Sequence, residues 1–190
     1  IIGVADMALY DALTPTDIIP LLPEHPQAVI IDANFSEETL VAISAGLPDD
    51  CRFYAAGTSA QKVHRLAPMM DRLDALVLNR AEACELAGKT GTVVELATIL
   101  SASLRPHAPV LVSNGDGPAA LASGGEVISS APPKITLANA NGAGDAMAAA
   151  FFLACLDRPE VSDDTPAGNR ELEDLLELAL AAGAAHAAAG

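Results

Sequence analysis

A run of small residues followed by one acid, Gly142-Ala143-Gly144-Asp145, opens the alanine-rich apolar segment Ala146–Phe151. Gly142 and Gly144 carry no Cβ, so the backbone N–H groups of this run can converge on one point. The helix predicted to follow leaves its first amides unpaired and turns the positive end of its dipole toward the loop. The run therefore predicts an anion hole.

Asp145 places a carboxylate beside this predicted anion hole. Its charge disfavours an anion that is merely bound, but it suits a base that takes the proton from an attacking hydroxyl. Amide donors for developing charge, together with a base for the nucleophile, describe phosphoryl transfer. A second interpretation of the same residues stays open: Gly-Ala-Gly is a close-packing turn and Asp145 is a favourable charge on the first turn of a helix.

The elements that must position these residues alternate between short apolar runs and longer segments of helical period. Apolar runs predict strands at 28–34, 51–57, 74–79 and 108–114, followed by a Gly-rich loop, and a hairpin at 118–130 that turns at Gly124-Gly125. Helical patterns cover 36–46, 59–70 with a break near Pro68, 80–88, 92–104, and most of the chain from Gly142, interrupted by a polar loop at 157–169. This alternation predicts an α/β fold whose parallel sheet is covered by helices.

Polar residues follow the predicted strands, at the positions where a fold of this kind binds its ligand. Ligands of open α/β sheets bind beyond the carboxyl ends of the strands. The residues found there are Asp32, Asn34, Ser59, Asn79, Glu82 and the stretch 113–117. Each of them, taken singly, is equally explained as a helix cap or a turn residue.

The charge and the apolar pattern exclude several partners. The chain has 190 residues, with 25 acidic against 10 basic residues and a formal net charge of −15. Without a basic strip, neither nucleic acid nor a membrane surface is an expected partner. The longest apolar runs, Ala146–Leu156 and Leu178–Ala185, fall short of the roughly 20 residues that span a bilayer. We therefore predict one soluble domain over 1–190, in the cytoplasm.

The sequence lacks several cysteine, histidine and nucleotide-binding motifs, which excludes further chemistries. The three cysteines form no C-x-x-C pair and the four histidines share no spacing, so neither a disulfide framework nor a zinc site is expected. The chain also lacks the G-x-S-x-G elbow of serine hydrolases and the G-x-x-x-x-G-K-[ST] loop of Walker-type nucleotide sites. Bound ATP would have to lie against the Gly142–Asp145 and Asn79–Glu82 segments.

The segment NGAGDAMAAAF resembles the C-terminal signature of PfkB/ribokinase-family carbohydrate kinases. Three further segments are similar to that family in the same order: LVLNRAEACELAG, VLVSNGDGPAAL and the final alanine-rich helix. The resemblance implies a ribokinase-like three-layer α/β/α fold with a mostly parallel sheet. It also implies a kinase that transfers the γ-phosphoryl group of ATP to a hydroxyl of a small sugar or nucleoside.

The resemblance carries roles onto individual residues. Asp145 would be the catalytic base, and Gly142, Ala143 and Gly144 would form the anion hole. Asn79 and Glu82 would order Mg²⁺, partly through water, together with the phosphates. The nucleotide would further contact Ser113, Asn114, Gly115, Gly117 and Gly183.

Two positions depart from the family pattern. Gly117 stands one residue before the usual second glycine of the nucleotide loop, whose place Pro118 takes. Asn139 and Ala140 replace an Asp-Thr pair that many members carry and that is associated with a monovalent cation. The use of K⁺ therefore stays open.

Within the family the chain is most similar to pseudouridine kinases, through IIDANFSEETL, through ADMALYDALTP and through the Ser59-x-x-Lys62 segment. Pseudouridine is thus the expected acceptor, with Asp32, Asn34 and Asn141 as candidate substrate contacts. Two alternatives remain: a ribokinase, fructokinase or purine-nucleoside kinase, and a non-catalytic nucleotide- or metabolite-binding protein.

The chain begins at Ile1 within an apolar stretch. By the resemblance it looks like the C-terminal two-thirds of a family member, so the first strands of the sheet and a small β lid are expected upstream. The oligomeric state is left open, with a homodimer as one option.

Overall fold

The computed structural model describes residues 7–158 and 168–189, so most of the predicted loop at 157–169 and the first residues of ADMALYDALTP lie outside it. Six strands form one sheet in chain order. Strands β1 to β4 are parallel, and β5 and β6 are antiparallel additions at one edge. The strands are β1 (Ala28–Asp32), β2 (Arg52–Ala56), β3 (Ala75–Asn79), β4 (Val110–Asn114), β5 (Gly117–Ser123) and β6 (Glu126–Ser130).

Helices cover both faces of this sheet. They are α1 (Ala8–Ala12), α2 (Pro15–Ile18), α3 (Glu37–Gly46), α4 (Arg80–Ala87), α5 (Val93–Ser101), α6 (Ala143–Leu156) and α7 (Asn169–Ala189), with 3₁₀ helices at Ile19–Leu21 and Val63–Arg72. Successive side chains of a strand face opposite sides of the sheet, so the core has two parts. Phe53 packs with the helices between β1 and β4, and its neighbour Tyr54 packs with α6 and α7. The result is the expected three-layer α/β/α architecture.

Helix α6 runs antiparallel to β2. Phe152 stacks on Tyr54 with ring centroids 5.2 Å apart and an interplanar angle of 4°. Farther along α6, burial raises the pKa of the Cys155 thiol to about 12, while the charges of Arg158 and Arg52 oppose that rise. Arg52 begins β2. The last turn of α6 therefore lies at the start of β2, and its first turn points toward the carboxyl ends of the strands.

Local signals in the sequence place most element ends as predicted. Ser36 and Thr92 cap α3 and α5, each accepting a hydrogen bond from the amide three residues later. Gly88 ends α4 in the left-handed conformation. The β5–β6 hairpin turns at Gly124 and Gly125, whose φ values of 59° and 89° suit a two-residue turn.

One local prediction is wrong. The segment 59–70 is not an α-helix broken near Pro68: a 3₁₀ helix begins at Val63 and continues through Pro68 to Arg72. In an α-helix the ring of an interior proline clashes with the carbonyl four residues earlier, which disfavours the α form here. After β4 the Gly-rich segment is a two-residue turn of Gly115 and Asp116, because β5 begins at Gly117.

Among the helices that the structure describes, none is both long and apolar enough to cross a membrane.

Candidate active site

The predicted strand-end residues share one edge of the sheet. Asp32 pairs with Ala56 across β1 and β2, and Asn79 pairs with Ser113 across β3 and β4. The N–H of Gly57, just past β2, donates to the Val77 carbonyl at 2.8 Å. Because α6 also begins at this edge, the sheet gathers every predicted segment except Gly183 along its carboxyl end.

Helix α6 begins without a side-chain cap. Its N-cap residue is Gly142, with a φ of 80°. The Ala143 N–H donates to the Ala140 carbonyl at 3.3 Å, while the N–H groups of Gly144 and Asp145 have no hydrogen-bond partner within residues 7–158 and 168–189. These two free amides lie at the positive end of a 14-residue helix. The unpaired amides are thus those of Gly144 and Asp145, whereas the predicted set was Gly142, Ala143 and Gly144, and the anion hole itself stays a prediction.

Asp145 lies in the first turn of α6 and is exposed. No cation pairs with its carboxylate among the residues that the structure describes. An unpaired, accessible carboxylate next to free amides can accept a proton from a hydroxyl that approaches the same point.

Asn79 and Glu82 form a reciprocal capping box at the start of α4. The Glu82 N–H donates to Asn79 Oδ1 at 3.0 Å, and the Asn79 N–H donates to Glu82 Oε2 at 2.9 Å. Asn79 is exposed, whereas Glu82 is only 2% exposed. Burial raises the pKa of Glu82, and its hydrogen bonds with Asn79 partly counter the rise.

Gly57 makes room for that buried carboxylate. A Cβ at Gly57 would collide with Glu82 Oε2 and would lie 2.6 Å from Glu82 Cδ. A larger residue after β2 would therefore displace the Glu82 side chain. Gly57 was not among the predicted site residues, although its position directly after a buried strand is the signal that could have found it.

The predicted nucleotide loop is a tight turn. Ser113 Oγ donates to the Leu78 carbonyl at 3.5 Å, which links the ends of β3 and β4. Gly115 has a φ of 62°, and a Cβ at Gly117 would lie 2.7 Å from Asn114 Nδ2. Both glycines are thus required by the turn itself, whatever they contact in addition.

Asp32 and Asn34 form a closed local turn. Asp32 Oδ1 accepts the Asn34 N–H at 2.9 Å, and Oδ2 accepts the Asn34 amide at 2.8 Å. Arg65 also donates to the Asn34 carbonyl at 2.9 Å. The turn interpretation accounts for these contacts, and a role in substrate binding stays a prediction.

Gly183 lies on α7 against the first turn of α6. A Cβ at Gly183 would lie 3.0 Å from the Ala143 carbonyl oxygen and 3.2 Å from Met147 Cβ. The missing side chain allows the two helices to approach closely behind the anion hole. Its predicted place beside the adenine stays a prediction.

The structure gathers these groups without bonding them to one another. In the described part of the chain no hydrogen bond or ion pair joins Asp145 to Asn79, Glu82 or Asp32. Nor do those residues include a cluster of three or more His, Cys, Asp or Glu side chains that could hold a metal ion. Each group is positioned separately around an open edge.

Two further residues at this edge were not among the predicted site residues. Lys62, at the N-cap of the 3₁₀ helix, is half-buried, yet its Nζ is fully buried and has no hydrogen-bond partner in the described part of the chain. His186 Nε2 lies 2.9 Å from the Asn141 carbonyl oxygen. The Ser59-x-x-Lys62 spacing is a signal for the first, whereas nothing in the sequence joins His186 to Asn141.

Comparisons with known proteins identify the family and the fold of the chain. Residues 30–189 match the sequence profile of the pfkB family carbohydrate kinases. No curated protein is similar enough in sequence to count as a match. Among solved structures, a carbohydrate kinase from Agrobacterium tumefaciens is 26% identical, with a TM-score of 0.68, and the match covers 97% of this chain and 56% of that one.

Two further solved structures share the fold. Aminoimidazole riboside kinase from Salmonella enterica, complexed with aminoimidazole riboside and an ATP analog, is 15% identical with a TM-score of 0.69, over 93% of this chain and 61% of that one. Adenosine kinase from Schistosoma mansoni, in complex with 2-fluoroadenosine, is 17% identical with a TM-score of 0.71, over 93% and 56%. The chain thus spans little more than half the length of the relatives it matches.

Proposed function

The chain belongs to the pfkB family of carbohydrate kinases, and from that premise we propose that it carries the phosphoryl-transfer site of an ATP-dependent sugar or nucleoside kinase. One observation carries the proposal: α6 begins at the carboxyl edge of the sheet with two unpaired amides and an accessible carboxylate in the same turn. Free amides stabilise charge on a transferring phosphoryl group, and the carboxylate activates the acceptor.

In this proposal Asp145 takes the proton from the acceptor hydroxyl as its oxygen attacks the γ-phosphorus of ATP. The O–P bond to the acceptor forms while the bond to the ADP oxygen breaks, and the amides of Gly144 and Asp145 hold the charge on the phosphoryl oxygens. The backbone supplies these donors already oriented, so little reorganisation is needed during the reaction.

The donor set at the start of α4 is suited to Mg²⁺, which prefers oxygen ligands and keeps several of its waters. Glu82 and Asn79 would hold the ion or its waters, and their side chains supply one carboxylate and one amide oxygen. Bound there, the ion would neutralise charge on the ATP phosphates. A nearby cation would also favour the ionised form of Glu82, which burial disfavours.

The acceptor we propose is pseudouridine. The Asp32-x-Asn34 turn and the Ser59-x-x-Lys62 segment, which support this choice through their likeness to pseudouridine kinases, follow β1 and β2 at the same edge. The buried Lys62 Nζ has no hydrogen-bond partner among residues 7–158 and 168–189. An unpaired ammonium is costly to bury, and the carbonyl oxygens of a uracil ring are acceptors that would satisfy it.

The test is an acceptor panel on the full-length protein with Mg-ATP: pseudouridine, uridine, adenosine, ribose and fructose. We expect 5′-phosphorylation of pseudouridine at a kcat/KM at least tenfold above that of the other acceptors. Preference for another acceptor would support the proposed kinase activity but overturn the choice of pseudouridine as acceptor. No turnover with any acceptor, combined with tight nucleotide binding, would instead support a non-catalytic binding protein.

Lys62→Met, with Lys62→Arg as the charge-preserving partner, tests the specificity argument separately. Lys62→Met should raise the KM for pseudouridine and leave the KM for ATP unchanged. An unchanged KM for pseudouridine would remove Lys62 from the acceptor site.

A further inference from the structure

The loop that leads into α6 is held by the last turn of α7. The Ala187 carbonyl accepts the N–H of Ala138 at 2.9 Å and that of Asn139 at 3.1 Å. His186 Nε2 lies 2.9 Å from the Asn141 carbonyl oxygen. Carbonyl groups at a helix C-terminus lack intrahelical partners, so α7 offers one of them to this loop. Three hydrogen bonds thus fix the loop just before the anion hole.

The contact at His186 has a defined direction. A carbonyl oxygen can only accept, so Nε2 must carry the hydrogen that bonds to Asn141. His186 is otherwise exposed, and its ring also fills the space beside Gly142. A Cβ at Gly142 would lie 2.8 Å from His186 Nε2. Glycine is therefore needed at position 142 both for its φ of 80° and for the approach of this ring.

This hydrogen bond fixes the residue directly before the N-cap of α6. The first acceptor of the helix is the Gly142 carbonyl, which accepts the Ala146 N–H at 2.8 Å, so the earlier amides have no intrahelical partner. The Asn141 carbonyl, one residue before Gly142, bonds to His186, and the Asp145 N–H has no partner within the described residues. The histidine thus holds the loop against α7 immediately before these amides.

We propose that His186 is a positioning residue for phosphoryl transfer: by holding the Asn141 carbonyl on α7, it fixes the loop that brings the amides of Gly144 and Asp145 to the transferring group. This inference rests on the proposed kinase function for its consequence, though the positioning can be measured without turnover. His186 acts through this loop.

The experiment compares three variants in the full-length protein. His186→Gln keeps an N–H donor of similar reach, and His186→Leu removes the donor while keeping a bulky side chain. His64→Leu is the matched control, because His64 is an exposed histidine on the opposite face of the sheet. We expect His186→Leu to lower kcat about tenfold, the effect of losing one hydrogen bond. His186→Gln and His64→Leu should stay within about twofold of the wild type.

Two readouts separate positioning from general damage to the fold. The KM for the acceptor should change less than kcat in His186→Leu, since the substitution leaves the side chain of Asn141, a candidate acceptor contact, in place. Its affinity for a non-hydrolysable ATP analogue should fall more than its affinity for ADP, because only the analogue places a γ-phosphate at the free amides. Equal losses for the two nucleotides, or equal kcat losses in His186→Leu and His186→Gln, would overturn the proposal.

Amide chemical shifts of the ligand-free protein give the turnover-independent readout. His186→Leu should shift the resonances of residues 141–145, and His186→Gln should return them toward the wild-type positions. Unshifted resonances would overturn the positioning role even in an active kinase. If the resonances shift as expected but the wild type transfers no phosphoryl group, the proposed function fails and the positioning of the loop stands.

Discussion

Helices α4 and α6 both begin at the carboxyl edge of the sheet, but one start is closed and the other is open. At α4, Asn79 and Glu82 satisfy each other's backbone amides in a capping box. At α6 the N-cap is Gly142, which has no side chain to offer, and the amides of Gly144 and Asp145 remain free. The difference lies in the N-cap residue: an Asn side chain occupies the helix terminus, whereas a glycine leaves it to a ligand.

The two starts also differ in where their carboxylates lie. Glu82 is buried and bonded to its own helix start, while Asp145 is exposed and unpaired. A buried carboxylate that is already hydrogen-bonded is suited to holding an ion or its waters in one place. An exposed carboxylate beside free amides is suited to proton transfer. The predictions below test this division of roles, beginning with the largest effect.

Asp145→Asn should have the largest effect. The substitution keeps the size of the side chain but removes the base, so kcat should fall by about 10²-fold or more, with the affinity for ATP little changed. Steady-state kinetics and calorimetry measure the two quantities. Asp157→Asn, just beyond the other end of α6, is the control and should leave kcat unchanged. An Asp145→Asn enzyme with most of its activity would remove the carboxylate from this role.

Gly144→Ala should lower activity while the fold is kept or stabilised. Apart from its chain neighbours and the nearby backbone of α6, no atom of the described residues lies within 4 Å of a Cβ at Gly144. Alanine favours a helix over glycine by up to about 1 kcal/mol. The methyl group would nevertheless enter the space that the free amides face, so we expect kcat/KM to fall about tenfold or more. Gly46→Ala, equally unobstructed at the end of α3, should show the stability gain alone. Activity retained in Gly144→Ala would place the phosphoryl group elsewhere.

Glu82→Gln should separate activity from stability. Burial holds the pKa of Glu82 above its usual range, so the folded protein binds this proton more tightly than the unfolded chain does. The stability of the wild type must then fall as pH rises from the pKa of Glu82 in the unfolded chain to its pKa in the folded protein. Above the second value, the folded wild type carries a buried negative charge at Glu82. Glutamine still completes the capping box.

Thermal unfolding between about pH 4 and about pH 8 should therefore show that the stability of Glu82→Gln increases relative to that of the wild type as pH rises. The same variant should need more Mg²⁺ for half-maximal activity, because a carboxylate near the phosphates is lost. An unchanged Mg²⁺ requirement would contradict the assignment of Glu82, and a stability difference independent of pH would contradict the raised pKa.

Asn79→Ala should have the smallest effect on stability, about 1 kcal/mol, the usual cost of losing an N-cap. Thr92→Ala removes the equivalent cap of α5 and should cost a similar amount. Denaturant unfolding measures both. Only Asn79→Ala should also weaken the affinity for Mg-ATP, and equal affinities in the two variants would limit Asn79 to a structural role.

The sequence predicts the start of α6 well because the relevant information is local. One short run contains the glycines, the adjacent acid and the start of the apolar helix. Helix caps such as Ser36 and Thr92 are equally local and can be predicted from the sequence. What it misses depends on tertiary contacts. Gly57 contacts Glu82, 25 positions away, and His186 contacts Asn141, 45 positions away. No local sequence pattern predicts either pair.

The 3₁₀ helix at Val63–Arg72 was missed for a different reason. Its apolar spacing also satisfies an α-helix, and Pro68 suggests a break in such a helix rather than a change of helix type. Leu66 and Met69 of the 3₁₀ helix are buried in the core, a tertiary contact that the local sequence does not reveal.

The open start of α6 is tested most directly by amide chemical shifts of the full-length protein as a non-hydrolysable Mg-ATP analogue is added, with Mg-ADP as the reference. Our account predicts that the γ-phosphate-dependent shifts are largest at Gly144 and Asp145. The capped amide of Thr39, at the start of α3, should not respond. Resonances of Gly144 and Asp145 that stay fixed while the analogue binds would contradict the central claim that this helix start receives the transferring group.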